Sequence, residues 1–191
     1  MRGTILSMCL GICLAACAAD EGELDEVTDD APLIAALQAS GSFVFRNEGS
    51  KHCIGVDRAS TTAGARLKQF ECDCAANQTW RIESAVAIAN HRALSNAKSK
   101  LCIGIDGAST KAGADLMQFP CDRKGNQQWA YEEQGKNGLG ETLIRFRNAG
   151  SKLCIGVDGS SKSNGAQLKQ FPCDTRANQR WVVHSPSFCS L

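Results

Sequence analysis

Phenylalanines, asparagines and aspartates recur at fixed spacing in this 191-residue chain, and among them they offer apolar ring faces, amides and carboxylates. They are Phe70, Phe119 and Phe171; Asn77, Asn126 and Asn178; and Asp57, Asp106 and Asp158. An aromatic ring suits the C–H patch on one face of a sugar, and a carboxylate with an amide suits the hydroxyls around its edge. Asp73, Asp122 and Asp174 also repeat, each directly after a cysteine, and are secondary candidates. Catalysis has little to draw on. His52, His91 and His184 do not repeat, and none lies in a recognisable nucleophile or metal motif. The acids show no spacing that singles out a glycosidase-type carboxylate pair. No catalytic site, metal or cofactor is expected.

These residues sit in three copies of one unit, and the repeat decides the architecture. Asn47 to Asp57 aligns with Asn96 to Asp106 and with Asn148 to Asp158. The match runs without a gap through Leu67-Lys-Gln-Phe70, Leu116-Met-Gln-Phe119 and Leu168-Lys-Gln-Phe171. It closes on Asn77-Gln-Thr-Trp80, Asn126-Gln-Gln-Trp129 and Asn178-Gln-Arg-Trp181. The units cover about 43–83, 92–132 and 144–184, and a Gly-rich connector after Tyr131 absorbs the length difference. Each reads as four short strands with turns at Gly64-Ala65, Gly113-Ala114 and Gly165-Ala166, and no segment keeps a helical period. On the strand 67–70, Leu67 and Gln69 share one face and Lys68 and Phe70 the other. With Leu67 in the core, Phe70 points outward. One unit cannot bury its apolar face alone, whereas three around an axis share a core. The tryptophans are expected there, with each Gln of Gln-x-Trp bonding its neighbours.

A threefold unit closing on Gln-x-Trp resembles the ricin B-type lectins, β-trefoil carbohydrate-binding modules, over residues 43–183. The resemblance implies an all-β fold, a β-trefoil of three internal repeats, and glycans as partners. It implies that the aromatic at Phe70, Phe119 and Phe171 is a stacking platform and that Asn77, Asn126 and Asn178 are polar ligands. The chain departs from that family at one point. The family's aspartate stands two residues after the first cysteine of each unit, where this chain has Gly55, Gly104 and Gly156. Asp57, Asp106 and Asp158 lie two residues further on with the same strand parity, displaced by about 7 Å, and are expected to serve instead. They would equally suit turns, because Asp-Gly follows in two units.

The chain has eleven cysteines, a load typical of exported proteins. The eight in residues 41–191 allow 105 pairings in principle. The repeat, read with the resemblance, implies Cys53–Cys72, Cys102–Cys121 and Cys154–Cys173, each closing its own unit. Cys74 and Cys189 have no counterparts and are left to pair with each other. A metal site at Cys72-Asp-Cys74 would strand Cys53 and lacks the usual ligand spacing.

The N-terminus supplies a compartment. Met1-Arg2 precedes an uncharged apolar run from Ile5 to Ala16, too short to span a bilayer and read as a signal peptide over 1–16. Leu14-Ala15-Ala16-Cys17 resembles a bacterial lipobox, which implies lipidation at Cys17. Ala18 in the sorting position favours the outer membrane or cell surface; ordinary cleavage would instead release a secreted protein. Residues 17–40, with seven acids and no base, read as a solvated tether to a head at 41–191. The formal net charge of +1 hides a split, for residues 41–191 carry 20 Lys and Arg against 13 Asp and Glu. The expected protein is a monomeric lectin with up to three weak sites, without nucleic-acid partners, touching a membrane only through its lipid. The alternatives are a β-trefoil that binds a protein partner, or an electrostatic binder of acidic polysaccharide using Lys51, Lys100 and Lys152.

Overall fold

The structure is a computed structural model that describes residues 41–83, 88 and 90–190. The signal at 1–16, Cys17 and the tether at 17–40 lie outside the described residues. Twelve strands follow one another: β1 (Val44–Asn47), β2 (Cys53–Val56), β3 (Leu67–Phe70), β4 (Trp80–Glu83), β5 (Ala93–Asn96) and β6 (Cys102–Ile105), then β7 (Leu116–Phe119), β8 (Trp129–Lys136), β9 (Thr142–Asn148), β10 (Cys154–Val157), β11 (Leu168–Phe171) and β12 (Trp181–His184). Among the described residues the helical turns are all 3-10 turns.

Six strands close a barrel. β4 pairs with β5, β8 with β9, β9 with β12 and β12 with β1, all antiparallel. Single bridges, Phe43 with Trp80 and Arg92 with Trp129, complete the ring. The hairpins β2–β3, β6–β7 and β10–β11 are joined to one another by the bridges Arg66–Met117, Lys68–Gln167 and Asp115–Lys169. This is a β-trefoil. Inside lie Trp80, Trp129 and Trp181, fully buried, with Phe45 and Phe146 edge to face at 4.9 Å. Each indole N–H donates to a backbone carbonyl, of Ile54 at 3.0 Å, Ile103 at 3.1 Å and Ile155 at 3.4 Å, so the largest core side chains bury no unmet donor.

β3, β7 and β11 alternate as their sequences predict: Leu and Gln buried, the Lys or Met and the Phe half-buried. The buried glutamines lock the units together. The Gln69 side-chain amide donates to the Ser161 and Ser163 carbonyls of unit 3 at 3.0 and 2.9 Å. Gln118 does the same to Ser60 and Thr62 of unit 1, and Gln170 to Ser109 and Lys111 of unit 2. Each glutamine oxygen accepts from a serine hydroxyl of its own unit, Ser50, Ser99 or Ser151, at 2.6 to 2.7 Å. The backbone repeats the cycle: the Gly64, Gly113 and Gly165 amides donate at 2.7 Å to the carbonyls of Gln118, Gln170 and Gln69. These glycines have φ of +82°, +85° and +81°, a region that a side chain would strain.

The disulfides are Cys53–Cys72, Cys102–Cys121, Cys154–Cys173 and Cys74–Cys189. The last ties the C-terminal turn (Pro186–Ser190) to unit 1. There Phe188 stacks on His184 at 4.0 Å, with the Arg46 guanidinium 5.3 Å above the Phe188 ring. Arg46 Nε donates to His184 Nε2 at 3.1 Å, which needs a neutral imidazole, and Arg46 Nη2 donates to both Glu141 carboxylate oxygens.

Two measurements test this account. Gln118→Ala removes both amide donations and the acceptor of the Ser99 hydroxyl, and leaves the Ser60 carbonyl without its donor while Thr62 keeps the Ala65 amide, so urea unfolding should show a loss of about 2 kcal/mol; a loss below about 0.5 kcal/mol would make the interlock dispensable. Burial first, and then the Arg46 charge, holds His184 below the ordinary histidine range, with Glu141 opposing. A depressed folded-state value contributes stability above the unfolded histidine value that is lost as pH falls. The melting temperature should therefore drop on acidification through the histidine range, and His184→Gln should flatten that part of the profile. An unchanged slope in the variant would assign it elsewhere.

Candidate functional site

The elements that recur in all three cavities are set by local sequence. β3 ends on Phe70, held to β2 through the pairs Cys53–Phe70 and Gly55–Lys68; β7 and β11 do the same with Phe119 and Phe171. The phenyl ring turns back over the neighbouring strand and lies on glycine. An ideal β-carbon on Gly55 would stand 2.9 Å from Phe70 Cδ2 and 3.1 Å from Gln78 Cγ. On Gly104 the distances are 3.0 Å to Phe119 and 3.1 Å to Gln127; on Gly156 they are 3.0 Å to Phe171 and 3.1 Å to Gln179. The three glycines are thus the floor on which the rings rest, and an aspartate there would displace them. The outward Phe of the strand pattern is half-buried for this reason.

The Gln of Gln-x-Trp fixes the opposite wall. Gln78 donates to the Glu71 carbonyl at 2.9 Å and accepts from the Asp73 amide at 3.3 Å. Gln127 and Gln179 make the same pair of bonds around Asp122 and Asp174. Asp73, Asp122 and Asp174 each accept with Oδ1 from the backbone N–H two residues on, which leaves Oδ2 outward. Lys124 pairs with Asp122 Oδ2 at 3.0 Å and Arg176 with Asp174 Oδ2 at 3.5 Å; unit 1 has Ala75 in that position and no such pair. Although burial raises it, the Asp122 carboxyl sits below its ordinary value because the Lys124 amide and ammonium favour the ionised form.

Between ring and loop lie three open concavities, of about 450 Å³ in unit 1, 340 Å³ in unit 2 and 320 Å³ in unit 3. Phe70, Asp73 and Asn77 line the first, Phe119, Asp122 and Asn126 the second, and Phe171, Asp174 and Asn178 the third. The asparagine backbone is held from behind: Asn96 Nδ2 donates to the Asn77 carbonyl and Asn47 Nδ2 to that of Asn178. The Asn178 amide donates to the Val157 carbonyl at 3.2 Å, while its Oδ1 is buried without a protein partner.

Asp57, Asp106 and Asp158 line none of these concavities. They open the 3-10 turns beside them, at 57–59, 106–108 and 158–160. Lys68 reaches Asp57 at 3.0 Å and Lys169 reaches Asp158 at 2.9 Å, whereas unit 2 has Met117 in the lysine position. The carboxylates common to all three cavities are instead those directly after the second cysteine. Three further polar residues that the sequence reading did not single out, Arg58, Glu71 and Asn164, line the edge of the unit 1 cavity. Asn164 comes from unit 3, so only closure of the threefold ring brings it there.

Comparison with known proteins agrees with the β-trefoil fold. No curated protein matches the chain. Among solved structures, the designed threefold-symmetric protein ThreeFoil is 26% identical, with a TM-score of 0.67 over 75% of this chain and 97% of its own. The exo-β-1,3-galactanase 1,3Gal43A from Clostridium thermocellum is 19% identical, with a TM-score of 0.68 over 75% of this chain and 30% of its own. A Macrolepiota procera ricin B-like lectin, solved with lactose, is 14% identical, with a TM-score of 0.61 over 77% of this chain and 96% of its own. Residues 41–181 match the family described as the ricin-type β-trefoil lectin domain, which spans all three units and the cavities between their rings and loops. The chain is a member of the ricin-type β-trefoil lectin domain family.

Proposed function

We propose that the protein is a carbohydrate-binding lectin with three sites, one per unit. The observation that carries this reading is the threefold recurrence of one cavity with the same chemistry: an aromatic wall, an asparagine and a carboxylate. In each site the Phe ring stacks on the C–H face of a sugar, and the Asn and the Asp after the second cysteine bond its hydroxyls. Asp57, Asp106 and Asp158 act one step back, anchoring the turn at the rim. Open sites of this size bind weakly, and three on one head give avidity toward clustered glycans. Binding, with no chemical step, is the activity assigned.

We also propose that the head is displayed outside the cell. Four disulfides are those of a protein matured in an oxidising compartment. The lipobox-like Leu14-Ala15-Ala16-Cys17 supports lipidation at Cys17, with residues 17–40 as an acidic tether from a bacterial outer membrane.

A glycan array of neutral and acidic sugars, read at low and physiological salt, should show salt-resistant binding to neutral sugars. Phe70→Ala, Phe119→Ala and Phe171→Ala should each remove one site from the calorimetric stoichiometry, and the triple variant should lose binding while keeping its near-ultraviolet circular dichroism. Salt-labile binding to acidic glycans alone, indifferent to these substitutions, would instead establish an electrostatic binder. Separately, cells fed an alkynyl fatty acid should label the full-length protein, and Cys17→Ser should abolish the label. An unlabelled, freely secreted wild type would overturn the anchor.

A further inference from the structure

The three cavities share a plan but are not alike. At the rim, Arg58 of unit 1 stands where units 2 and 3 have Gly107 and Gly159. All three residues have left-handed backbone, with φ of +53°, +57° and +57°. Glycine takes that conformation freely and arginine at a cost. After the phenylalanine, unit 1 has Glu71 where the others have Pro120 and Pro172. The Glu71 amide, which a proline would lack, donates to Asn164 Oδ1 of unit 3 at 3.2 Å. The residues aligned with Asn164 in the other units are Ala63 and Ala112, too short for such a bond. Asp73 Oδ2, finally, has no lysine or arginine on it among the described residues, unlike Asp122 and Asp174.

All four differences act on one cavity. They add a guanidinium, a carboxylate and a cross-unit amide to its edge, free an acceptor within it, and accompany the larger volume, about 450 Å³ against 340 and 320 Å³. The Asn164 amide is held in place by its oxygen, so it meets a ligand pre-oriented and with little entropy left to lose. A single sugar against Phe70, Asp73 and Asn77 would leave Arg58, Glu71 and Asn164 unused.

We infer that the unit 1 cavity is an oligosaccharide site, with Arg58, Glu71 and Asn164 forming a subsite for a second sugar residue, whereas units 2 and 3 bind a terminal residue alone. This rests on the reading of the cavities as sugar sites. Arg58 keeps a backbone cost that glycine would remove, because its side chain contacts the second residue.

The test isolates single sites. Phe119→Ala/Phe171→Ala keeps unit 1, and Phe70→Ala/Phe171→Ala keeps unit 2. Each is titrated with galactose, N-acetylgalactosamine, glucose and mannose, and with lactose, cellobiose and mannobiose. Unit 1 should bind its disaccharide about tenfold more tightly than the matching monosaccharide, and unit 2 should show no such gain. Arg58→Gly and Asn164→Ala should each erase most of the gain in unit 1 while leaving monosaccharide affinity within about twofold. Arg58→Gly should also raise the melting temperature, a sign opposite to that of its binding effect, which a purely structural arginine would not produce. The same two substitutions in the otherwise intact chain, read as loss of disaccharide preference at one of three sites, keep the test open if a double variant fails to fold. Equal disaccharide gains in units 1 and 2, or gains unmoved by both substitutions, would overturn the inference alone. Folded protein that binds none of these sugars would overturn the sugar reading and this inference together.

Discussion

The closed cycle of buried glutamines governs the rest of the molecule. Gln69, Gln118 and Gln170 are fully buried, and each spends its amide on two carbonyls of the preceding unit in the ring. A buried amide without partners would cost several kcal/mol, so each unit is stable only with its neighbour in register. The cycle sits at the hairpin cap, one residue before each site phenylalanine. Core and site are thereby coupled: Leu67 goes into the core, Gln69 into the interlock and Phe70 into the cavity, all on one four-residue strand. The same alternation repeats in β7 and β11.

A second constraint follows within each unit. The phenyl ring needs a floor without a side chain, and Gly55, Gly104 and Gly156 provide it. The glycines that replace the family's aspartate are therefore coupled to the ring. With that position filled by aromatic carbon, the carboxylate enters from the other wall, on the loop that the Gln of Gln-x-Trp holds. That motif thus has two roles: its Trp fills the barrel, and its Gln aims the aspartate after the second cysteine.

Much of this was legible in the sequence because the repeat tests itself. Spacing placed the three tryptophans in the core. Strand parity put Leu67 and Gln69 on one face and Phe70 on the other. The repeat, read with the family resemblance, gave the disulfides. At Asp57, Asp106 and Asp158 the chain leaves the strand and enters a 3-10 turn, the alternative that the following Asp-Gly signalled in two units. The interlocking role of Gln69 was signalled by a polar residue at a core position in every unit, but its partners lie some 92 residues away in unit 3. Asn164 could not be placed by a unit-by-unit reading, since it belongs to one unit by sequence and to another by position. Such contacts are written in the closure of the ring and in no local pattern.

The central claim is that Phe70, Phe119 and Phe171 are the faces on which sugar binds. Phenylalanine-labelled protein separates these rings from Phe45 and Phe146, which are buried in the core. An aromatic 1H–13C spectrum recorded during titration with the glycan that binds best on the array reads each ring directly. The account predicts ring-current shifts at Phe70, Phe119 and Phe171 that saturate with the binding isotherm, while Phe45 and Phe146 stay fixed. Saturable binding with those three rings unmoved would contradict it and would place recognition elsewhere on the head.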